Sequence, residues 1–248
     1  MEGLTLKGRT ALVTGGAGGI GSQICKDLAD IGARVFIADL NEDGAASVVA
    51  GLPDAQAFGV DLSDPASIDE LIGKVKEAGM VDVLVNNAGW DKVGPFVDSD
   101  PAVWDKLIAI NLRAPMHLTH ALLPGMLEQS WGRLVHVSSD AARVGSSGEA
   151  VYGACKSGLL GFSKTIAREA ARGQVTSNVV CPGPSDTPLL REVAGGNPTL
   201  VESLKKAIPL RRLGQPRDVA GMVAFLCSER AEYLTGQTVS VSGGLTMV

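Results

Sequence analysis

The chain is poor in the residues on which hydrolases and metal sites are usually built. Only three histidines occur, His117, His120 and His136, and none forms a hydrolase pattern with a serine, which is a weak nucleophile without such a base. The four cysteines, Cys25, Cys155, Cys181 and Cys227, lie far apart. They contain no Cys-x-x-Cys pair and have no histidine at ligand spacing, so buried reduced thiols are expected and a metal centre is not. No apolar run approaches the ~18 residues of a membrane span. Excess positive charge is also missing: the formal net charge is −5, which gives no basis for nucleic-acid binding and leaves a small molecule as the expected partner. Met1 to Gly8 carries charges and leads straight into a strand, so no signal peptide and a cytoplasmic location are expected. Internal repeats and low-complexity stretches are absent.

What is present is a large apolar fraction, 45% of 248 residues, enough for the core of one open-sheet α/β domain of this length. Strand-length apolar runs at Thr10 to Thr14, Arg34 to Asp39, Ala55 to Gly59, Val81 to Asn86, Gly132 to Ser138, Thr176 to Cys181 and Thr238 to Val241 alternate with segments of helical period. Helices are expected at about Ile20 to Ile31, Ala45 to Ala50, Pro65 to Ala78, Ala102 to Gln129, Ala150 to Arg172 and Pro216 to Cys227, with Ser63 opening the third. Such alternation predicts a parallel sheet with helices on both faces. Thr187 to Leu213 fits neither period and has Gly195, Gly196, Asn197 and Pro198 near its middle. It reads as a lid over a site or as a plain surface excursion.

The first strand runs into Gly15-Gly16-Ala17-Gly18-Gly19-Ile20-Gly21 at the start of a helix. Residues without side chains let the backbone approach a pyrophosphate, and a helix N-terminus offers unpaired N–H groups to it. Asp39 ends the second strand about 20 residues on, where a carboxylate can accept from both ribose hydroxyls of NAD and repels the 2′-phosphate of NADP. Neither Leu40 beside it nor Gly16 supplies a cation to reverse that choice. Asp61, at the end of the third strand with Leu62 next to it, is placed for the adenine.

Further along, Ser139 follows the fifth strand, and Tyr152 and Lys156 are one helical turn apart, so they share a face. An ammonium beside a phenol favours phenolate, and Tyr152 is expected to have its pKa lowered from ~10 towards working pH. It then serves as acid or base, with Ser139 holding the reacting oxygen.

With Asn86-Asn87-Ala88-Gly89, Asn111 and Pro182-Gly183 followed by Thr187, these motifs resemble the short-chain dehydrogenases/reductases over essentially the whole chain. The resemblance implies a Rossmann-type doubly wound sheet of about seven strands, in one domain spanning residues 1 to 248, and frequently a homotetramer. It implies that Asn87, Ala88 and Gly89 shape the cofactor pocket, that Lys156 also holds the nicotinamide ribose, and that Pro182, Gly183, Ser185 and Thr187 line the nicotinamide. Ser185 departs from the aliphatic residue often found there. In the family an asparagine bends a long helix and its main-chain carbonyl holds a water beside the lysine. Here Pro115, four residues after Asn111, has no N–H to satisfy that carbonyl.

Within the family, the stretches around Trp90, from Ser138 to Tyr152, and from Val241 to Met247 resemble the 2-hydroxycyclohexanecarboxyl-CoA dehydrogenase branch. An NAD-dependent interconversion of a cyclic secondary alcohol and its ketone is therefore implied, with 3-oxoacyl reductase or another cyclic-ketone reductase as the rival, and a non-catalytic dinucleotide sensor as a remote one. Trp90 would wall the ring, unless it packs a lid. Arg143 and Glu149, on the loop between Ser139 and Tyr152, would meet the substrate, or Arg143 would pair with Asp140 or Glu149 and stiffen that loop. Lys205, Lys206, Arg211 and Arg212 are available to CoA phosphates or are simply solvated.

Overall fold

The computed structural model describes residues 3–188, 190, 191, 195 and 198–248. Seven parallel strands form one sheet, β1 (Thr10–Thr14), β2 (Arg34–Asp39), β3 (Ala55–Gly59), β4 (Val83–Asn86), β5 (Gly132–Val137), β6 (Val175–Pro182) and β7 (Thr238–Val241), in the order β3-β2-β1-β4-β5-β6-β7. The winding reverses between β1 and β4, and a crevice opens at the carboxyl ends of strands flanking such a reversal. The expected doubly wound sheet is present.

The strands read as continuous apolar runs because both faces are covered. In register, Leu12 stands beside Phe36 and Leu84, and Leu84 beside Leu134. These side chains enter one core, packed by α3 (Pro65–Ala78) and α5 (Ala114–Glu128) through Leu71, Leu118 and Met126. The intervening Val13, Val35, Val85 and Val135 enter the opposite core, against α1 (Gly19–Asp30) and the C-terminal helix Pro216–Cys227. Each fully buried side chain of this size contributes about 1.5–3 kcal/mol. All four cysteines are free and buried.

Local chemistry shifts several boundaries. Asn41 caps α2 (Glu42–Val49) by accepting from Gly44 N at 3.0 Å, so that helix begins before Ala45. Asp64, not Ser63, caps α3 by accepting from Ala66 N, with Pro65 in the first turn where its missing N–H costs nothing. The helix expected from Ala102 to Gln129 is interrupted. After α4 (Pro101–Ile108) comes a π-helical turn, Ala109–Arg113, in which Ala114 N–H donates back five residues to Ala109 O. Pro115 cannot continue the ordinary ladder, and the wider turn absorbs it.

The segment from 187 to 213 is not wholly irregular. It contains a helix, Pro198–Ala207, while Gly196 and Asn197 lie outside the described residues. With the short α6 (Ala141–Val144) and the long α7 (Ala150–Ala170), this helix is α8, and Pro216–Cys227 is α9. Among the described residues no helix is long and apolar enough to cross a membrane, and no group of side chains could hold a metal ion.

Candidate active site

The glycine turn is fixed by what surrounds it. Gly15 has φ +66°, and a Cβ there would lie 2.8 Å from the Cα of Ala88; one on Gly21 would overlap the Gly15 carbonyl. Thr14 Oγ1 accepts from the N–H groups of Asn87 and Ala88, both at 3.1 Å, and Asn87 Nδ2 donates to the Thr14 and Gly15 carbonyls at 2.9 and 3.1 Å. The ends of β1 and β4 are thus stapled together, and Asn87 shapes the crevice through the backbone. Gly18 caps α1 without a side-chain hydrogen bond and no acidic residue occupies the first turn, so the leading N–H groups of Gly19, Ile20 and Gly21 have no intrahelical partner. This is a cradle for a pyrophosphate.

Asp39 reaches back to the turn, its carboxylate accepting from Ala17 N and Asn41 N at 2.9 Å each. It is therefore held as an acceptor at the edge of the crevice, beside the 73% exposed Leu40. Asp61 is exposed, and its carboxylate accepts from Ser63 Oγ at 2.6 Å and Ser63 N at 2.8 Å, which holds its pKa below the usual range. Leu62 packs on the second core. Opposite the turn, Gly183 N donates to Val241 O, Ser185 Oγ to Gly183 O and Thr187 Oγ1 to Ser185 O. Thr187 then passes over Gly19, where a Cβ would come within 3.5 Å of its methyl. These residues fit a nicotinamide dinucleotide.

Ser139, Tyr152, Lys156 and Asn111 are gathered where β4 and β5 end. Ser139 Oγ accepts from Ala141 N at 3.1 Å and stands near enough to the Tyr152 hydroxyl to favour its ionised form. Lys156 Nζ donates to Val137 O at 2.9 Å and stands 5.7 Å from the centre of the Tyr152 ring, while Ser138 Oγ donates to the Lys156 carbonyl. Gly89 makes room beside them, since a Cβ on it would meet Asn111 Oδ1 and Lys156 Nζ at 3.2 Å each. The Asn111 side chain donates to Trp90 O and Leu107 O and accepts from Trp90 N, so the asparagine of the widened turn fixes the loop after β4.

The electrostatics correct one expectation. Tyr152 is raised, not lowered, above its usual pKa: burial contributes most, the nearby Asp91 and Glu149 charges add to it, and only Ser139 opposes them. The Lys156 ammonium, itself buried and brought down to about 8 mainly by burial, faces the Val137 carbonyl. In the chain alone the phenol keeps its proton.

Beside Tyr152 lies a cavity of about 240 Å³ with Phe96, Val103, Trp104 and Leu107 among its walls, and Asp91 and Glu149 within it. Trp90 is not on that wall. Its ring lies under Lys106 Nζ at 4.6 Å, and its backbone serves Asn111. Arg143 also differs from expectation: its guanidinium donates to Ser240 Oγ at 3.0 Å and Thr238 O at 3.5 Å, and Ser240 Oγ donates to Asp140 Oδ1 at 2.6 Å. It joins β7 and reaches Asp140 only through Ser240. The loop is stiffened, but not by either expected ion pair. Lys205 pairs with Glu202, Arg212 with Asp218, and Arg211 donates to the Lys206 carbonyl, so three of the four cations suggested for CoA phosphates have partners of their own.

Sequence reading passed over Thr14 as the staple and Asp91 as part of the cavity. Thr14 carried a signal, a hydroxyl at the last strand position before the turn. Asp91 gained its meaning only from Glu149, which the fold brings to it.

A family model described as enoyl-(acyl carrier protein) reductase matches residues 15–246. Among curated proteins, 3-oxoacyl-(acyl-carrier-protein) reductase FabG of Escherichia coli (strain K12) is 36% identical over 247 residues, covering 99% of this chain and 100% of that protein. Acetoacetyl-CoA reductase of Shinella zoogloeoides is 38% identical over 237 residues, 95% of this chain and 98% of that protein. Among solved structures, one from Beutenbergia cavernae, provisionally assigned as an NAD(P)-dependent gluconate 5-dehydrogenase and holding NADP at low occupancy, superposes with TM-score 0.92 at 30% identity over 98% of both chains.

Proposed function

We propose, from the premise that this chain belongs to the short-chain dehydrogenase/reductase family, that it interconverts a cyclic secondary alcohol and its ketone with NAD, the substrate being an alicyclic β-hydroxyacyl-CoA of the 2-hydroxycyclohexanecarboxyl type. The observation that carries the cofactor choice is Asp39, whose carboxylate is anchored by two backbone N–H groups at the crevice edge. A fixed anion there accepts from ribose hydroxyls and repels a 2′-phosphate. The apolar walls of the cavity beside Tyr152 suit a ring.

Gly15, Gly18, Gly19, Ile20 and Gly21 would hold the pyrophosphate, Asp39 and Leu40 the adenosine ribose, Asp61 and Leu62 the adenine, and Asn87, Ala88, Gly89, Lys156 and Pro182 to Thr187 the nicotinamide half. When bound, the nicotinamide takes or gives the hydride. Ser139 holds the substrate oxygen, and Tyr152 gives the proton to a ketone or takes it from an alcohol. Asn111 positions the segment beside Lys156, and the Asn111 carbonyl, denied a donor by Pro115, would hold a water that supplies protons to Lys156 and so towards Tyr152. The chain works in the cytoplasm as a homotetramer.

The relatives' names favour a second reading, reduction of a 3-oxoacyl thioester. Assays of alicyclic hydroxyacids, their CoA esters, simple cyclohexanols and acetoacetyl-CoA with both cofactors separate the two. The first reading requires fastest turnover of an alicyclic hydroxyacyl-CoA with NAD. Faster reduction of acetoacetyl-CoA with NADPH would replace it by the second.

A further inference from the structure

Two loops from distant parts of the chain close the cavity beside Tyr152. The loop after β4 carries Asp91, the loop before α7 carries Glu149, and Gly94 N donates to Gly148 O at 3.0 Å, so the two run side by side. The Asp91 and Glu149 side chains interact across the cavity, which they line together with Tyr152. Two carboxyl groups brought this near disfavour each other's ionisation. Around them stand Lys156 and Tyr152 on α7, and Lys92, whose backbone N–H donates to Asp91 Oδ1 at 2.7 Å. Asp98 and Asp100 lie on the same wall, and Lys106 on α4 is drawn off over the Trp90 ring. Among the described residues that line the cavity, Lys92 is the one basic residue, so the chamber is acidic.

We propose that the Asp91 and Glu149 pair sets specificity for the group next to the reacting carbon: its negative charge repels a free carboxylate there and so favours a neutral ester or thioester. This deepens the reading of a β-hydroxyacyl substrate and rests on it. In such a substrate the acyl carbonyl lies two bonds from the carbinol, within the same small cavity that holds the carbinol at Tyr152. Burial, then the neighbouring Glu149 carboxyl, bring Asp91 up to about 7, with Lys156 pulling the other way. Above that pH Asp91 loses its proton and the repulsion grows; below it Asp91 keeps the proton. Like charges a few ångströms apart in a half-buried site interact strongly enough to change a specificity ratio by about tenfold or more.

The test compares 2-hydroxycyclohexanecarboxylate with its methyl ester, which differ at the critical group by one charge. Their ratio of kcat/KM cancels the titration of Tyr152 and Lys156, which serve both. The expected result is a preference for the ester of at least about tenfold, growing as pH rises through 7. In Asp91→Asn and in Glu149→Gln the preference should fall at least fivefold and lose its pH dependence. An unchanged preference in both variants, or a wild-type protein that prefers the free acid, overturns the proposal. If the CoA ester is not turned over while the ester preference shifts as stated, the CoA reading fails and the role of the pair stands. If the CoA ester is turned over and the preference does not move, the reverse holds. Should neither alicyclic compound react, reduction of acetoacetate and methyl acetoacetate supplies the same ratio, and turnover of neither pair overturns the proposal.

Discussion

Lys156 donates its ammonium proton to the Val137 carbonyl at 2.9 Å while standing 5.7 Å from the centre of the Tyr152 ring. The cation is therefore fixed to the end of β5, and the phenol beside it is governed by burial and by the Asp91 and Glu149 charges. A protonated phenol is ready to donate to a ketone, whereas alcohol oxidation must first remove that proton.

Oxidation should accordingly gain from rising pH and reduction should not. Between pH 6 and 9, kcat/KM for alcohol oxidation is expected to increase by at least about tenfold, because a group held above its ordinary value is progressively ionised. Tyr152→Phe should lower both directions by roughly 10²–10⁴-fold and leave NADH affinity, read by fluorescence, within about threefold. Retained turnover would remove Tyr152 from the chemistry.

Lys156→Met should abolish most activity and stabilise the fold. Burial brings the lysine from 10.5 to about 8. Between those values the native state binds fewer protons than the unfolded chain, so stability rises with pH across that window and the cost of the buried charge is fully present below it. At pH 7 that cost is about 3 kcal/mol, offset by the lost bond to Val137. A net gain of about 1–3 kcal/mol is expected, seen as a thermal midpoint several degrees higher. The gain should disappear as pH approaches 10.5.

Asp39→Asn keeps an acceptor for one of the two backbone N–H groups and removes the charge. The ratio of kcat/KM with NADP to that with NAD should rise by about 10–100-fold, on the scale of a close charge repulsion relieved at a partly exposed site. An unaltered ratio would mean that cofactor choice is made elsewhere.

Gly21→Ala places a methyl group against the Gly15 carbonyl, with Asn87 Nδ2 at 2.7 Å. Neither backbone nor staple can yield without opening the turn. Destabilisation of about 1–3 kcal/mol and at least tenfold weaker NAD binding by calorimetry are expected.

Much of this was legible from local patterns. The bounds of β1, β2, β3, β7, α3 and α9 follow from apolar runs and from prolines at helix starts, because such signals are contained within a few residues. Pro115 announced an irregularity near Asn111, although not that it would be a π turn. α8 escaped notice because glycines and Pro198 at its start read as loop. Arg143 and Asp91 could not be given their partners: Ser240 and Glu149 become their neighbours only after the sheet has assembled.

The Arg143 and Asp140 link to Ser240 gives the last strand a mechanical hold on the segment that carries Ser139. β7 is an edge strand, paired with β6 on one side only. A substitution that loosens β7 would therefore shift the segment of Ser139, and turnover would change although no residue of the cavity beside Tyr152 had been touched.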